Sequence, residues 1–98
     1  MLNHLAHIYQ RLFGVSEKLL EIQQDLEQQY AFLTNRQRVI LSTQQRLSSV
    51  RARYPLRVER VQRLEEIFLS RVTNASNMTE VSASLHKLLK TLDRERLH

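Results

Sequence analysis

The sequence predicts an all-α protein: an extended coiled coil in which a long N-terminal helix is followed by two shorter helices folding back as a helical hairpin or bundle. Three observations lead there. A column of large apolar residues repeats every seven positions through the first half of the chain, a single proline closes that column, and the composition favours helix throughout.

The column reads Leu5, Leu12, Leu19, Leu26, Leu33, Ile40, Leu47 and Tyr54, without slip. A seven-residue spacing returns to nearly the same helix face, and a sustained run imposes a left-handed supercoil. With this column as position a, position d reads Ile8, Val15, Ile22, Gln29, Arg36, Thr43 and Val50. The seam is therefore apolar in both columns at first and mixed later, and polar residues at such positions fix register and partner. A helix from about Leu2 to Arg53 is expected, with Gly14 at an outward position where a missing side chain harms no packing.

Pro55 biases Tyr54 away from the α region and suits the first turn of a new helix. Leu56, Val58, Val61, Leu64, Ile67, Phe68 and Val72 then recur at helical spacing, predicting a second helix over 55–72. Thr73 to Asn77 reads as a polar loop. Asn77 or Thr79 can cap a third helix over 79–95, with a stripe of Val81, Leu85, Leu88, Leu89 and Leu92. Residues 94–98 are expected to fray. Two domains follow: 1–54, the heptad helix, and 55–98, the two shorter helices. The hairpin core is assigned to Val50, Tyr54, Val61, Leu64, Phe68, Leu85, Leu88 and Leu92.

Length makes the case for a partner. A helix of about 50 residues is roughly 75 Å long, and helices of about 17 residues span roughly 25 Å, so the shorter ones cover only part of it. The uncovered seam is the most hydrophobic part, and a large exposed apolar stripe marks an interface. The partner seam is assigned to Leu5, Ile8, Leu12, Val15, Leu19, Ile22, Leu26, Leu33, Ile40 and Leu47. Arg36 and Arg51 beside their own copies would repel, which favours a hetero-oligomer with other coiled-coil chains over a homodimer.

Charge is uneven. Residues 1–35 carry a net −2, residues 36–63 a net +7, and residues 64–98 are neutral. The basic patch at the expected bend is all arginine: Arg36, Arg38, Arg46, Arg51, Arg53, Arg57, Arg60 and Arg63. Guanidinium groups pair well with carboxylates and phosphates, so an acidic protein surface is one expected partner there. Nucleic acid is disfavoured, because no aromatics are interleaved for base stacking and the basic stretch follows the zipper rather than preceding it.

No enzyme chemistry is expected. There is no Cys, and His4 and His7 lack a third ligand nearby, so no metal site is assigned. One Gly allows no phosphate-cradling loop, and a narrow coiled coil offers no pocket for a triad. No catalytic residue or cofactor is assigned. No apolar run reaches the roughly 18 residues of a membrane span, and the N-terminus lacks a secretory pattern, so a cytoplasmic or nuclear protein that is not secreted is expected. The sequons at Asn74 and Asn77 are read as loop chemistry.

The run Glu59-Arg60-Val61-Gln62-Arg63-Leu64-Glu65-Glu66-Ile67-Phe68 is similar to a stretch of one of the small dynactin subunits. It comprises common helix-forming residues, and no residue role follows from it. The function expected is a non-enzymatic structural or adaptor subunit of a multi-protein complex. The alternatives are a small helical chaperone that shields a client's amphipathic helix, or an Arg-rich binder of nucleic acid or membrane surface. Salt separates these, since a phosphate-driven complex weakens steeply with ionic strength.

Overall fold

The computed structural model describes residues 17–98, and these are helical with no strand among them. Helix α1 spans Glu17–Arg53, a 3₁₀ turn occupies Pro55–Arg57, and α2 and α3 span Val58–Thr73 and Met78–Arg94. The seam positions Leu5, Ile8, Leu12 and Val15 and the start of the first helix lie outside the described residues. The chain divides into two compact units, Met1–Leu33 and Thr34–His98. The division expected after Tyr54 therefore separates helices, not units, because the last part of α1 is built into the core of the second unit.

In the second unit each helix end has a local cause. Tyr54, held by Pro55, leaves the helical region at φ −126° and ψ 71°, while its N–H still donates to the Val50 carbonyl at 2.9 Å. Helix was expected to restart at Pro55. A 3₁₀ turn comes first, since Arg57 sits at φ −115° and ψ 16° with its N–H on the Tyr54 carbonyl at 2.9 Å. Leu56 on this turn is 98% exposed and takes no part in the core.

The turn between α2 and α3 closes on Asn77. Its side-chain oxygen accepts from the Glu80 N–H at 2.9 Å, and the Glu80 carboxylate reaches back to the Ser76 N–H at 2.6 Å. This reciprocal pair satisfies the Glu80 N–H, a donor that the helix start leaves open, and the Ser76 N–H in the turn before it. Of the two caps expected, Asn77 and Thr79, Asn77 is the one used.

The C-terminus does not fray. Past α3, Arg96 takes a left-handed φ of 58°, the Leu97 N–H donates to the Leu92 carbonyl at 2.8 Å, and the Arg96 N–H donates to the Asp93 carbonyl at 3.0 Å. These are the two bonds of a Schellman cap, and its usual apolar contact is present in Leu97 and Leu92, both buried. Arginine replaces the glycine that such a position favours, at a cost of about 1 kcal/mol. Burial of Leu97 opposes that cost.

The core of the second unit is continuous with the heptad positions of α1. Thr43, Leu47 and Val50 are buried from α1, Val61, Leu64, Phe68 and Val72 from α2, and Val81, Leu88 and Leu92 from α3. Ala75 in the turn and Leu97 complete it. Helices α2 and α3 pack directly: Leu64, Ile67 and Phe68 border a cleft of about 30 Å³ opposite Leu88 and Thr91. Arg36 reaches the Thr73 carbonyl at 3.4 Å, and Arg51 reaches Glu65 at 3.4 Å. Of the core residues assigned from sequence, Val50, Val61, Leu64, Phe68, Leu88 and Leu92 are buried, and Tyr54 and Leu85 are half-buried.

Candidate interaction surfaces

The two heptad columns meet different environments along α1. Leu47 was expected at the partner seam but is fully buried in the second unit, so it is a core residue. Ile40 is half-buried. The seam residues of the first unit are more exposed: Leu19, Ile22, Leu26 and Leu33 are each about half exposed, and Tyr30 is 73% exposed. Burying one such aliphatic side chain completely is worth about 1.5–3 kcal/mol. Together these neighbouring large side chains form a contiguous exposed apolar stripe on one short helical stretch.

The spacing of this stripe differs from the seven-residue reading. Leu19 and Tyr30 are eleven apart, as are Ile22 and Leu33, and Leu26 lies between. Eleven residues make about three α-helical turns, so the stripe runs nearly along the helix axis. Tyr30 belongs to it, although it stands beside the Leu column in the heptad reading.

The arginine patch has a different character from the one expected. Arg60 grips Glu95 side-on, with Nε to Oε1 at 2.9 Å and Nη2 to Oε2 at 2.6 Å, while Arg57 Nη2 reaches Oε1 at 2.8 Å. Arg57 and Arg60 stand three apart at the start of α2, and Glu95 is the residue that ends α3. One carboxylate thus clasps two arginines across the unit. Hydrogen bonding from Arg60, with the charges of Arg60, Arg57 and Arg94, holds the Glu95 carboxyl below its ordinary range, against partial burial that acts in the other direction. Arg51 pairs with Glu65, Arg63 with Glu66, and Arg53 donates to the His98 carbonyl. Of the eight arginines, Arg38 and Arg46 remain exposed with no such tie among the described residues. The cluster is chiefly the polar frame of the unit. Glu95, which ties Arg57 and Arg60, and Leu97, which completes the core, are absent from the residues singled out in the sequence, because neither lies on a periodic stripe.

A groove of about 470 Å³ runs between α1 and α3, floored by Val50, Leu89, Leu92 and Leu97 and edged by Arg46, Arg53, Asp93 and His98. Asp93 and His98 approach at 3.4 Å across it. Among the described residues, no three His, Cys, Asp or Glu side chains are grouped to hold a metal, and no helix is long and apolar enough to cross a membrane. No protein-family model matches the sequence, and no curated protein and no solved structure matches the chain.

Proposed function

We propose that this chain is a non-enzymatic structural or adaptor subunit of a multi-protein complex, and that it joins its assembly by packing the first-unit stretch of α1 against helices of other chains in a coiled-coil manner. The observation that supports this is the contrast along the heptad columns. Leu47 and Val50 are covered by the protein's own helices, whereas Ile22, Leu26 and Leu33 are open to solvent. A helical stretch whose apolar positions are open is stabilised by packing against a second helix.

Within this proposal the second unit is the folded anchor and residues 19–33 are the arm. The arginines serve the anchor. Their engagement with Glu95, Glu65, Glu66 and backbone carbonyls removes the main motive for a phosphate-binding role. Hetero-oligomers are favoured over homodimers, in a soluble compartment of the cell.

The test is affinity purification of the full chain beside an Ile22→Asp, Leu26→Asp double variant at moderate salt. A stoichiometric helical partner recovered with the first and lost with the second, at unchanged helicity, supports the proposal. Identical recovery with both would sink it.

A further inference from the structure

We infer that the helix docking on residues 22–33 is a basic amphipathic helix of a different chain, carrying Lys or Arg beside its apolar stripe so that its cations face Asp25 and Glu27. The inference rests on the docking role proposed above and adds the chemistry of the partner. Residues 17–33 carry Glu17, Glu21, Asp25 and Glu27 against Lys18 alone, a net −3. Asp25 and Glu27 adjoin Leu26, and one step along an α-helix is about 100° of rotation. The two carboxylates therefore stand on opposite flanks of the exposed stripe.

Glu27 carries a second, independent sign. It is only half-exposed, and its Oε1 is shielded from solvent with no hydrogen-bond partner among the described residues. A carboxylate oxygen that has lost water without gaining a donor is destabilising until a donor arrives. Glu27 shares the helix surface with Gln23 and Tyr30, four residues before and three after it, so a cation on a docked helix would reach it at the edge of the contact.

A second copy of this chain fits poorly. In an antiparallel self-pair centred on Leu26, each flank meets the same flank of the other copy, setting Asp25 beside Asp25 and Glu27 beside Glu27. A parallel pair sets −3 against −3. The second unit of another copy is basic, yet its apolar positions are spent in its own core, and its exposed Leu41 and Leu56 stand apart. The earlier objection to self-pairing, from Arg36 and Arg51, no longer applies, because both are tied within their own unit.

The test uses the full chain and two synthetic helical peptides of about 20 residues, long enough to cover the stripe. Both carry the same Leu/Ile stripe; one has Lys and Arg on its flanks, the other Glu. Binding is read by fluorescence anisotropy at low and high salt. The basic peptide should bind about tenfold tighter, the sum of two or three partly exposed ion pairs, and the preference should shrink as salt rises. An Asp25→Lys, Glu27→Lys double variant should reverse the preference. Ile22→Asp, Leu26→Asp should abolish binding although it makes the arm more acidic, which separates docking from plain charge attraction.

Equal affinity for the two peptides, or no reversal in the double-lysine variant, would overturn the inference while leaving the docking surface intact. Failure of both peptides to bind would overturn the inference together with the docking role. Self-association of the chain that is lost in Ile22→Asp, Leu26→Asp would also overturn it, in favour of a second copy.

Discussion

Removing the Leu97 side chain should loosen the whole second unit, not merely its last residues. Leu97 is 2% exposed and sits at the position of the Schellman cap whose apolar contact is Leu92. Leu→Ala changes in cores cost about 2–5 kcal/mol, and a site at the rim of a small core, where neighbours can collapse, belongs near the lower bound. For a unit of this size 1 kcal/mol moves the melting point by about 4–8 °C, so Leu97→Ala should lower it by roughly 10 °C. Its neighbour provides a control of opposite sign. Arg96 holds a left-handed φ of 58°, and Arg96→Gly should raise the melting point by a few degrees, worth about 1 kcal/mol. Thermal unfolding followed by circular dichroism at 222 nm, with both variants beside the parent, reads the two effects. A Leu97→Ala melting point within 2 °C of the parent would refute the reasoning and return residues 94–98 to the frayed tail expected from sequence.

Glu95 adds a pH signature. Because its folded-state carboxyl lies below the ordinary value, its contribution is fully present above the ordinary carboxylate range and is lost as pH falls through the lower, folded value. The melting point of Glu95→Gln should therefore differ from the parent at pH 6 and converge with it in the acid range; an unchanging gap would argue against the clasp. Asn77→Ala removes the α3 cap and should cost about 1 kcal/mol, read as a lower denaturation midpoint at unchanged slope. Leu47→Ala should destabilise by about 2–5 kcal/mol, whereas Leu26→Ala should stay within about 0.5 kcal/mol in the isolated chain. Similar losses for the two leucines would mean that the arm is internal core.

Much of the second unit is legible in local patterns. The seven-residue spacing marks Leu47 in one column and Thr43 and Val50 in the other, the proline ends α1, and Asn77 announces α3 through its polar side chain and the Glu three residues on. Those signals act within one or two helical turns, where sequence spacing and spatial contact nearly coincide. The misses are of longer range or break a local rule. Arg96 occupies a position where glycine would have signalled a cap, so nothing distinguished Leu97 from a frayed end. The pairing of Arg60 with Glu95 spans 35 residues, and a charge count cannot show it. Leu47 was misplaced because a heptad column does not tell whether its cover comes from the same chain or another. The eleven-residue spacing of the stripe was hidden for a related reason: Leu19, Leu26 and Leu33 repeat every seven residues, and the eleven-residue pairs emerge only when the exposure of Tyr30 is added to that of Ile22.

The docking role of α1 is tested most directly at Tyr30, the most exposed member of the stripe. Replacing Tyr30 with a photoreactive phenylalanine analogue in the native cell changes shape little and reports what lies against that face. Illumination should yield a covalent adduct to a helical segment of one different chain, lost when Leu26→Asp is added. An adduct only within the same polypeptide, or none at all, would contradict the proposal that this stretch of helix holds other helices.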